Sequence, residues 1–560
     1  VLAALPASDR DRAAHTVGAD LRLSGVSGPP ARQHGALAAL PGVTGLTPVA
    51  EKSVFVGSSV VQTVALDSAA ASAAGLPSLR QDLADRPAPA LLAPLTAVPA
   101  HGIAVPGEPT ALEVTVTASA DRPLPEPGPE LLLWIQDANG LTEQLAVPLP
   151  ADGRPHTVTV PLAGGERRAH PLTLGRLGVD FTDRQRARTT LDLRLTRIGA
   201  VTDGQRTDLA LPPGWSWARA DPAPVDPAAL GCPGTETAPG DTGVPGARGE
   251  YADACGWEGG GADLLHAVLR SHDPLSGATR QSVALTVRPG PGTGAPVLPV
   301  LPALADRALL DAVRAKAGDT VELDWDRDGG GVQKVLITGV VDGLPGYDRT
   351  HGHLLLDLRA VAANRALTGA PPPTATRWWL TSDDPAATRA AVAVDGRFGR
   401  PQSAPEVAAA LADDPFRTGL RCAWLLVLVT APLFAVTALT LHTVSAVRSR
   451  QREFAVLRAL GVRTGELTAL LRAEQVAVTV PPVLLGGALG LLLAALLPAF
   501  TVLDDRAGPV FPALATAPGR PATVLTALAA GLLLALAVLV LTRLLARVDL
   551  VRALRAGEDG

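Results

Sequence analysis

Three long apolar runs dominate the C-terminal part of the chain. They cover residues 422–447, 475–503 and 521–542, and none of them contains Asp, Glu, Lys or Arg. A helix needs about 20 apolar residues to cross a bilayer. One such run would also suit the buried helix of a soluble protein. Three in succession predict an α-helical transmembrane bundle within residues 416–560.

A different pattern fills the part of the chain before these runs. Between residues 105 and 290, short strand-like segments such as "ALEVTVTAS" and "ELLLWIQDANG" are separated by turn residues. Several short strands at this spacing predict a β-sandwich-like insertion, which includes a Pro/Gly-rich loop region. The flanks, residues 1–104 and 291–415, mix strand-like and helix-like segments. They predict the two halves of one large mixed α/β core that the insertion interrupts.

Arginine placement predicts the orientation of the spans. Arg residues crowd the loop after the first run and the C-terminal tail: Arg448, Arg450, Arg452, Arg458, Arg463, Arg472, Arg543, Arg547, Arg552 and Arg555. Since Lys and Arg in short loops stay on the cytoplasmic side, we expect a cytoplasmic C-terminus and an extracytoplasmic region from residue 1 to about 415. That region needs an export signal. We infer a fourth, N-terminal span upstream of Val1, with a removed signal peptide as the alternative.

Composition narrows the function classes. The net charge of the 560-residue chain is −5 at pH 7, which gives no case for nucleic-acid binding. The sequence shows no nucleophile elbow, Walker A loop or paired-carboxylate constellation. We therefore expect no enzymatic activity and no cofactor in this chain. His351 and His353 lack a third ligand of suitable spacing, so we expect no metal site there.

The chain contains three Cys residues. Cys232 and Cys255 lie in one Pro/Gly-rich stretch, and a disulfide between them is expected if that stretch is extracytoplasmic. The alternative is two unpaired thiols in a loop. Cys422 lies at the edge of the first apolar run.

The loop between the first two runs carries a recognisable pattern. Residues 448–475, "RSRQREFAVLRALGVRTGELTALLRAEQ", closely resemble the signature of the FtsX-like permease family, which includes the MacB-type ABC transporter permeases. The ending "VDLVRALRAGE", residues 548–558, is similar to the usual C-terminus of that family. The resemblance is strong from about residue 417 to 558 and weaker in the outer region. The β-rich insertion is not part of the minimal family plan.

The resemblance implies a multi-pass permease of a bacterial plasma membrane that works as a homodimer or heterodimer. It also implies a separate ABC-type ATP-binding subunit, whose motion the permease transmits across the bilayer to the outer region (mechanotransmission).

The same loop has the residue pattern of a coupling helix. Phe454, Val456, Leu457 and Leu460 recur at roughly helical spacing and form an apolar stripe. The residues predicted to contact the ATP-binding subunit, or to end the helix, are Arg452, Glu453, Arg458 and Gly461. Arg groups can pair with carboxylates in a directional, bidentate way. The alternative is that these Arg residues only fix the topology and bind anionic membrane lipids.

Three functions fit these patterns. The first is the permease subunit of an ABC transporter that exports or extracts a lipid, peptide or similar substrate. The alternative is a non-transporting signal transmitter that activates a cell-wall hydrolase outside the membrane. The third is a membrane-anchored carbohydrate-binding protein that uses the insertion.

Overall fold

The structure of the chain is a computed structural model. The described residues are 5–26, 30–96, 102–124, 128–162, 168–182, 189–219, 252–259, 261–271, 280–290, 298–325, 332–349, 351–367 and 372–449, with 460, 469, 473–474, 476–477, 480–482, 484–490, 492, 511–513 and 532. The chain divides into two compact units, Val1–Ala13 with Pro405–Gly560, and Ala14–Ala404.

All of the described strands lie in the unit Ala14–Ala404. In chain order they are β1 (Leu21–Ser24), β2 (Val43–Val56), β3 (Ser59–Leu66), β4 (Ile103–Val105), β5 (Ala111–Ala120), β6 (Glu130–Gln136), β7 (Thr142–Pro148), β8 (Asp152–Pro161), β9 (Leu172–Thr182), β10 (Thr190–Thr202), β11 (Gln205–Asp208), β12 (Trp215–Arg219), β13 (Ala252–Glu258), β14 (Leu265–Ser271), β15 (Arg280–Pro289), β16 (Leu301–Asp306), β17 (Thr320–Asp324), β18 (Val332–Val341), β19 (Gly352–Asp357), β20 (Ala375–Ser382) and β21 (Arg400–Ser403).

The described α-helices flank these strands or follow them. They are α1 (Leu5–Val17), α2 (Pro30–Ala38), α3 (Ser68–Ala73), α4 (Ala88–Leu92), α5 (Arg307–Val313), α6 (Leu358–Leu367), α7 (Pro385–Val394), α8 (Ala404–Ala412) and α9 (Pro415–Ser449).

A nine-stranded mixed sheet is built from both ends of the unit, in the order β17-β18-β16-β19-β3-β2-β20-β1-β21. Both of its faces are covered. Trp378 and Trp379 are neighbours on β20, each 1% exposed, and they enter separate apolar clusters on the two faces. This follows from the alternation of side chains along a strand. The aromatic pair therefore packs the sheet on both sides.

The strands between β3 and β16 form two further six-stranded sheets. One has the order β13-β14-β10-β5-β8 with β11 beside β10, and the other β12-β15-β9-β6-β7 with β4 beside β9. Their facing apolar residues share one core, which includes Leu112, Leu133, Leu193 and Val287. The alternating burial of β5 and β7 reflects this arrangement, since every second side chain points into the core.

The two-sheet body packs against the nine-stranded sheet through α6. This helix is buried along nearly its whole length, and Ala362 and Ala363 share a small cavity with Trp134 and Arg176 of the two-sheet body. The Arg176 guanidinium lies 4.4 Å from the centre of the Trp134 ring. Leu141, just before β7, joins the apolar core of the nine-stranded sheet. The insertion is therefore held by side-chain packing as well as by its two chain connections.

One described helix is long and apolar enough to cross a bilayer. It is α9, whose apolar stretch Arg421–His442 has 22 residues and contains most of the first predicted span. A shorter apolar helix covers Val480–Gly490 within the second predicted span. Most of residues 475–503 and 521–542 lie outside the described part of the chain, so the three-span bundle and its orientation stay predictions.

Candidate functional site

The candidate site is the root of α9, where the long apolar helix begins. Pro415 occupies its first position, which suits a residue that lacks an N–H. The backbone carbonyl of Asp414 accepts a hydrogen bond from Thr418 N at 2.9 Å and starts the helical ladder. At about 1.5 Å per residue, the 35 residues of α9 exceed the roughly 30 Å hydrocarbon core of a bilayer. The helix thus has enough length to extend past the membrane.

The interior of α9 is adapted to an apolar surrounding. The hydroxyls of Thr430 and Thr437 each donate to the carbonyl four residues earlier at 2.8 Å, so their polar groups are satisfied within the helix. Leu426 and Phe434 are 66% and 72% exposed, a surface that lipid or other helices must cover. Pro432 removes one helical hydrogen bond, which favours a bend at that turn.

An ion pair ties the root of α9 to α1. Arg421 Nη2 lies 2.9 Å from Asp9 Oδ2, and the Asp9 side chain is only 4% exposed. The same guanidinium donates from Nη1 to the carbonyl of Ala412, the last residue of α8, at 3.4 Å. The hydroxyl of Thr418 also donates to this carbonyl at 3.5 Å. One Arg side chain of α9 therefore contacts two other helices, α1 and α8.

Burial makes this ion pair important for the structure. A carboxylate that is nearly removed from water is costly without a cation, and removing one partner of such a pair typically costs about 3–5 kcal/mol. Arg421 itself is about one-quarter exposed, with 28% of its side chain accessible, so the upper part of that range does not apply. The pair is nevertheless a strong constraint on where α1 meets α9.

The C-terminal end of α1 is held by a loop of the unit Ala14–Ala404. Gly346 N donates to the carbonyl of His15 at 2.6 Å, and Ser78 N donates to the carbonyl of Gly18 at 2.9 Å. The His15 ring is buried, and burial, with the nearby Arg80 and Arg349, lowers its pKa to about 4. His15 is therefore neutral at physiological pH. The C-terminal end of α1 is thus held by contacts within the unit Ala14–Ala404.

Comparison with known families identifies the segment that begins in α9. Residues 425–548 match the family described as FtsX-like permease C-terminal. This segment is similar to the FtsX-like permease family. No curated protein matches the chain. The match suggests a membrane protein of the ABC transporter permease or signalling-type permease kind; such permeases are typically non-enzymatic and generally pair with an ATP-binding subunit.

The FtsX-like segment includes all the residues predicted to couple to an ATP-binding subunit. Arg452, Glu453, Arg458 and Gly461 fall inside residues 425–548 but outside the described residues. Their role stays a prediction. The helix α9 ends at Ser449, shortly before these four residues.

Sequence reasoning missed the ion pair at the root of the permease helix. Arg421 had a usable signal, because it directly precedes the charge-free run that begins at Cys422. Asp9 had none, since it is one of several charged residues in "ASDRDR" and its partner lies 412 positions away.

The structure also shows the surroundings of His353 and of two of the three cysteines. His353 is buried and lies 2.8 Å from Asp306, whose other oxygen accepts from Leu309 N at the start of α5. Within the described ranges, no group of three or more His, Cys, Asp or Glu side chains has the arrangement of a metal site. Cys255 in β13 is disulfide-bonded, whereas Cys422 is free and exposed. Cys232 lies outside the described residues, so its pairing stays a prediction.

Proposed function

We propose that this chain is a permease subunit of a MacB-type ABC transporter in a bacterial plasma membrane. ATP hydrolysis by a separate subunit moves α9, and this motion passes to the extracytoplasmic unit Ala14–Ala404 through α1 and α8. The work exports or extracts a lipid, a peptide or a similar substrate. A second permease subunit, identical or different, completes the membrane part.

The observation that carries this proposal is the Asp9–Arg421 ion pair. Because Arg421 lies at the start of the apolar stretch of α9 and also binds the end of α8, a shift of α9 acts on both neighbouring helices. α9 is also one continuous helix from Pro415 to Ser449, with a bend favoured at Pro432, so a displacement along it reaches Arg421 through helical backbone. The match of residues 425–548 to the FtsX-like family supports an ATP-driven source for the motion.

The experiment uses the full chain, reconstituted in lipid nanodiscs with its ATP-binding subunit. Asp9→Arg and Arg421→Asp, made singly, should each reduce the stimulation of ATPase activity by about tenfold or more, because each leaves like charges facing each other. The double exchange, Asp9→Arg with Arg421→Asp, restores opposite charges and should recover much of the stimulation. Arg397→Asp, at an exposed site of the other unit, is the matched control.

One outcome would contradict the proposal, and two others decide between transport and signalling. Single variants that insert, bind the ATP-binding subunit and keep full stimulation would show that this junction transmits nothing. ATP-dependent movement of a lipid or peptide supports transport. Stimulation of a co-purifying cell-wall hydrolase without such movement would replace transport by signalling.

A further inference from the structure

Arg22 occupies a position where three parts of the fold meet. It lies on β1, which pairs antiparallel with β20 on one side and with the edge strand β21 on the other. In this register Arg22 is directly opposite Gln402 of β21. β21 ends at Ser403, and α8 begins at the next residue.

The Arg22 guanidinium makes three hydrogen bonds to three separate segments. Nη1 donates to the carbonyl of Thr16 in the last turn of α1 and to the carbonyl of Gly346, both at 2.9 Å. Nη2 donates to Gln402 Oε1 at 2.5 Å. A planar group with several fixed donors suits this role, whereas an ammonium group is a single point of contact on a flexible chain.

These contacts fall beside both places where the chain passes between its two units. The passages lie between Ala13 and Ala14, within α1, and between Ala404 and Pro405, within α8. Thr16 and Gln402 are each three residues from the far side of a passage. Arg22 is therefore bonded to the first segment of the unit Ala14–Ala404 and to its last strand.

Charged and polar neighbours surround the Arg22 guanidinium. Burial and the neighbouring Arg377 lower the pKa of Arg22, while Tyr347 and Glu51 oppose this effect. Glu51 accepts a hydrogen bond from the Tyr347 hydroxyl at 2.5 Å and pairs with Arg377 at 2.7 Å. Glu51, Tyr347 and Arg377 are thus paired with one another, and Arg22 donates to the carbonyls of Thr16 and Gly346 and to Gln402.

We propose that Arg22 is a positioning residue that fastens α1 and β21 to each other. A displacement that arrives through either chain passage, in α1 or in α8, then moves the whole nine-stranded sheet. This inference rests on the proposed function, because it names the residue that receives the motion. Without this link, β21 is a four-residue edge strand that is paired to the sheet through β1 alone. A pull through α8 would then strain that short edge instead of displacing the whole sheet.

The backbone pairing allows Arg22 to be tested without unfolding the sheet. β1 keeps its main-chain pairing with β20 and β21 whatever side chain stands at position 22. Arg22→Lys keeps the charge and Arg22→Met keeps the chain length. Both variants should fold, because the main-chain pairing of β1 is kept. Both should uncouple, because the ammonium group of Lys is a single point of contact and Met has no donor.

Gln402 offers a sharper pair of variants. Gln402→Glu keeps an acceptor oxygen for Arg22 and adds a charge, so it should retain coupling. Gln402→Leu has a similar volume and no acceptor, so it should lose coupling. Arg400→Met on the same strand is the control, because Arg400 is exposed. If the side chain at position 402 only filled space, Gln402→Glu would not retain coupling while Gln402→Leu loses it.

The experiment measures ATPase stimulation in the reconstituted complex of the full chain with its ATP-binding subunit. Hydrogen exchange over residues 400–403 monitors whether β21 stays paired. We expect about a tenfold loss of stimulation in Arg22→Lys, Arg22→Met and Gln402→Leu, the change that one charge-assisted hydrogen bond commonly produces. Gln402→Glu and Arg400→Met should behave as the parent chain does.

Two results would overturn the inference, and they are distinguishable. If the Asp9 and Arg421 single variants uncouple while the Arg22 and Gln402 variants do not, the role of Arg22 is wrong and the proposed function stands. If all of these variants keep full stimulation, the proposed function fails and this inference fails with it.

Discussion

The clearest pH-dependent group in the described structure is Asp137, in the turn between β6 and β7. Its side chain is buried, and Oδ1 accepts hydrogen bonds from Asn139 N at 3.0 Å and Leu141 N at 2.8 Å. Oδ2 is buried and has no hydrogen-bond partner in the described part of the chain. Burial raises the pKa of Asp137 to about 7, against opposing effects of the two backbone bonds and of Arg359. We expect Asp137→Asn to remove a pH dependence of stability.

The sign and size of the effect follow from linkage. Because the pKa of Asp137 is higher in the folded chain than its ordinary value of 3.8, folding favours the protonated form. This contribution is fully present below pH 3.8 and is lost as the pH rises through about 7. A difference of about three pH units corresponds to about 4 kcal/mol of free energy of unfolding. Asn stays neutral and keeps the acceptor oxygen, so the variant should avoid that loss.

The measurement compares the parent chain with Asp137→Asn from pH 4 to pH 8.5. Urea denaturation of the full chain in detergent, with hydrogen exchange over β6 and β7, gives the free energy of unfolding at each pH. All other titrating groups cancel in the difference between the two proteins. The variant should gain on the parent chain up to about pH 7 and keep a constant advantage above it. A difference that does not change with pH would refute the reasoning.

Two further expectations concern the same contact between the insertion and the core. Gly140→Ala should destabilise the chain by about 1 kcal/mol or more, because φ is +81° and a Cβ would lie 2.3 Å from Arg359 Cγ. Gly75→Ala, at φ +68° with open space, should cost less, and equal losses in urea denaturation would contradict this. Arg168→Met should cost about 2 kcal/mol, since it removes a 2.6 Å partner from the buried Glu143, which keeps Arg32 at 3.0 Å. An unchanged urea midpoint would show that the pair contributes little.

The parts of the fold that could be predicted depend on local sequence pattern. The segment "ALEVTVTAS" alternates apolar and polar residues and lies within β5, whereas "ELLLWIQDANG" contains β6 as a nearly continuous apolar run followed by turn residues. The large β-rich region before the apolar helix α9 is confirmed. The charge-free run at residues 422–447 lies within α9 for the same kind of reason, since its apolar residues are continuous.

The segment from residue 203 to 261 shows where local pattern was too weak. The sequence favoured a loop-rich region, whereas the structure places β11, β12 and β13 within it. β11 is four residues long and fully exposed, so it has no alternation to detect. β12 is held by Trp217, whose indole N–H donates to the carbonyl of Leu264 at 2.8 Å. Such a contact between distant residues has no signature in a single sequence.

The candidate site was even less accessible to prediction, because its contacts join the two ends of the chain. Asp9 and Arg421 meet, and so do Arg22 and Gln402, each pair separated by hundreds of residues. No local period encodes such a pair. Sequence reasoning found the long apolar helix and missed the side chains that connect it to α1.

The packing of the insertion decides what a displacement of the nine-stranded sheet would move. Glu143 of β7 is held by Arg168 of the insertion and by Arg32 of α2 at 3.0 Å, so one carboxylate joins the insertion to the core. The turn at Gly140 lies directly against Arg359 of α6, too close for any Cβ. These contacts leave the insertion no free hinge at this side. Within the unit Ala14–Ala404, a motion that reaches the sheet must therefore carry the insertion with it as one body.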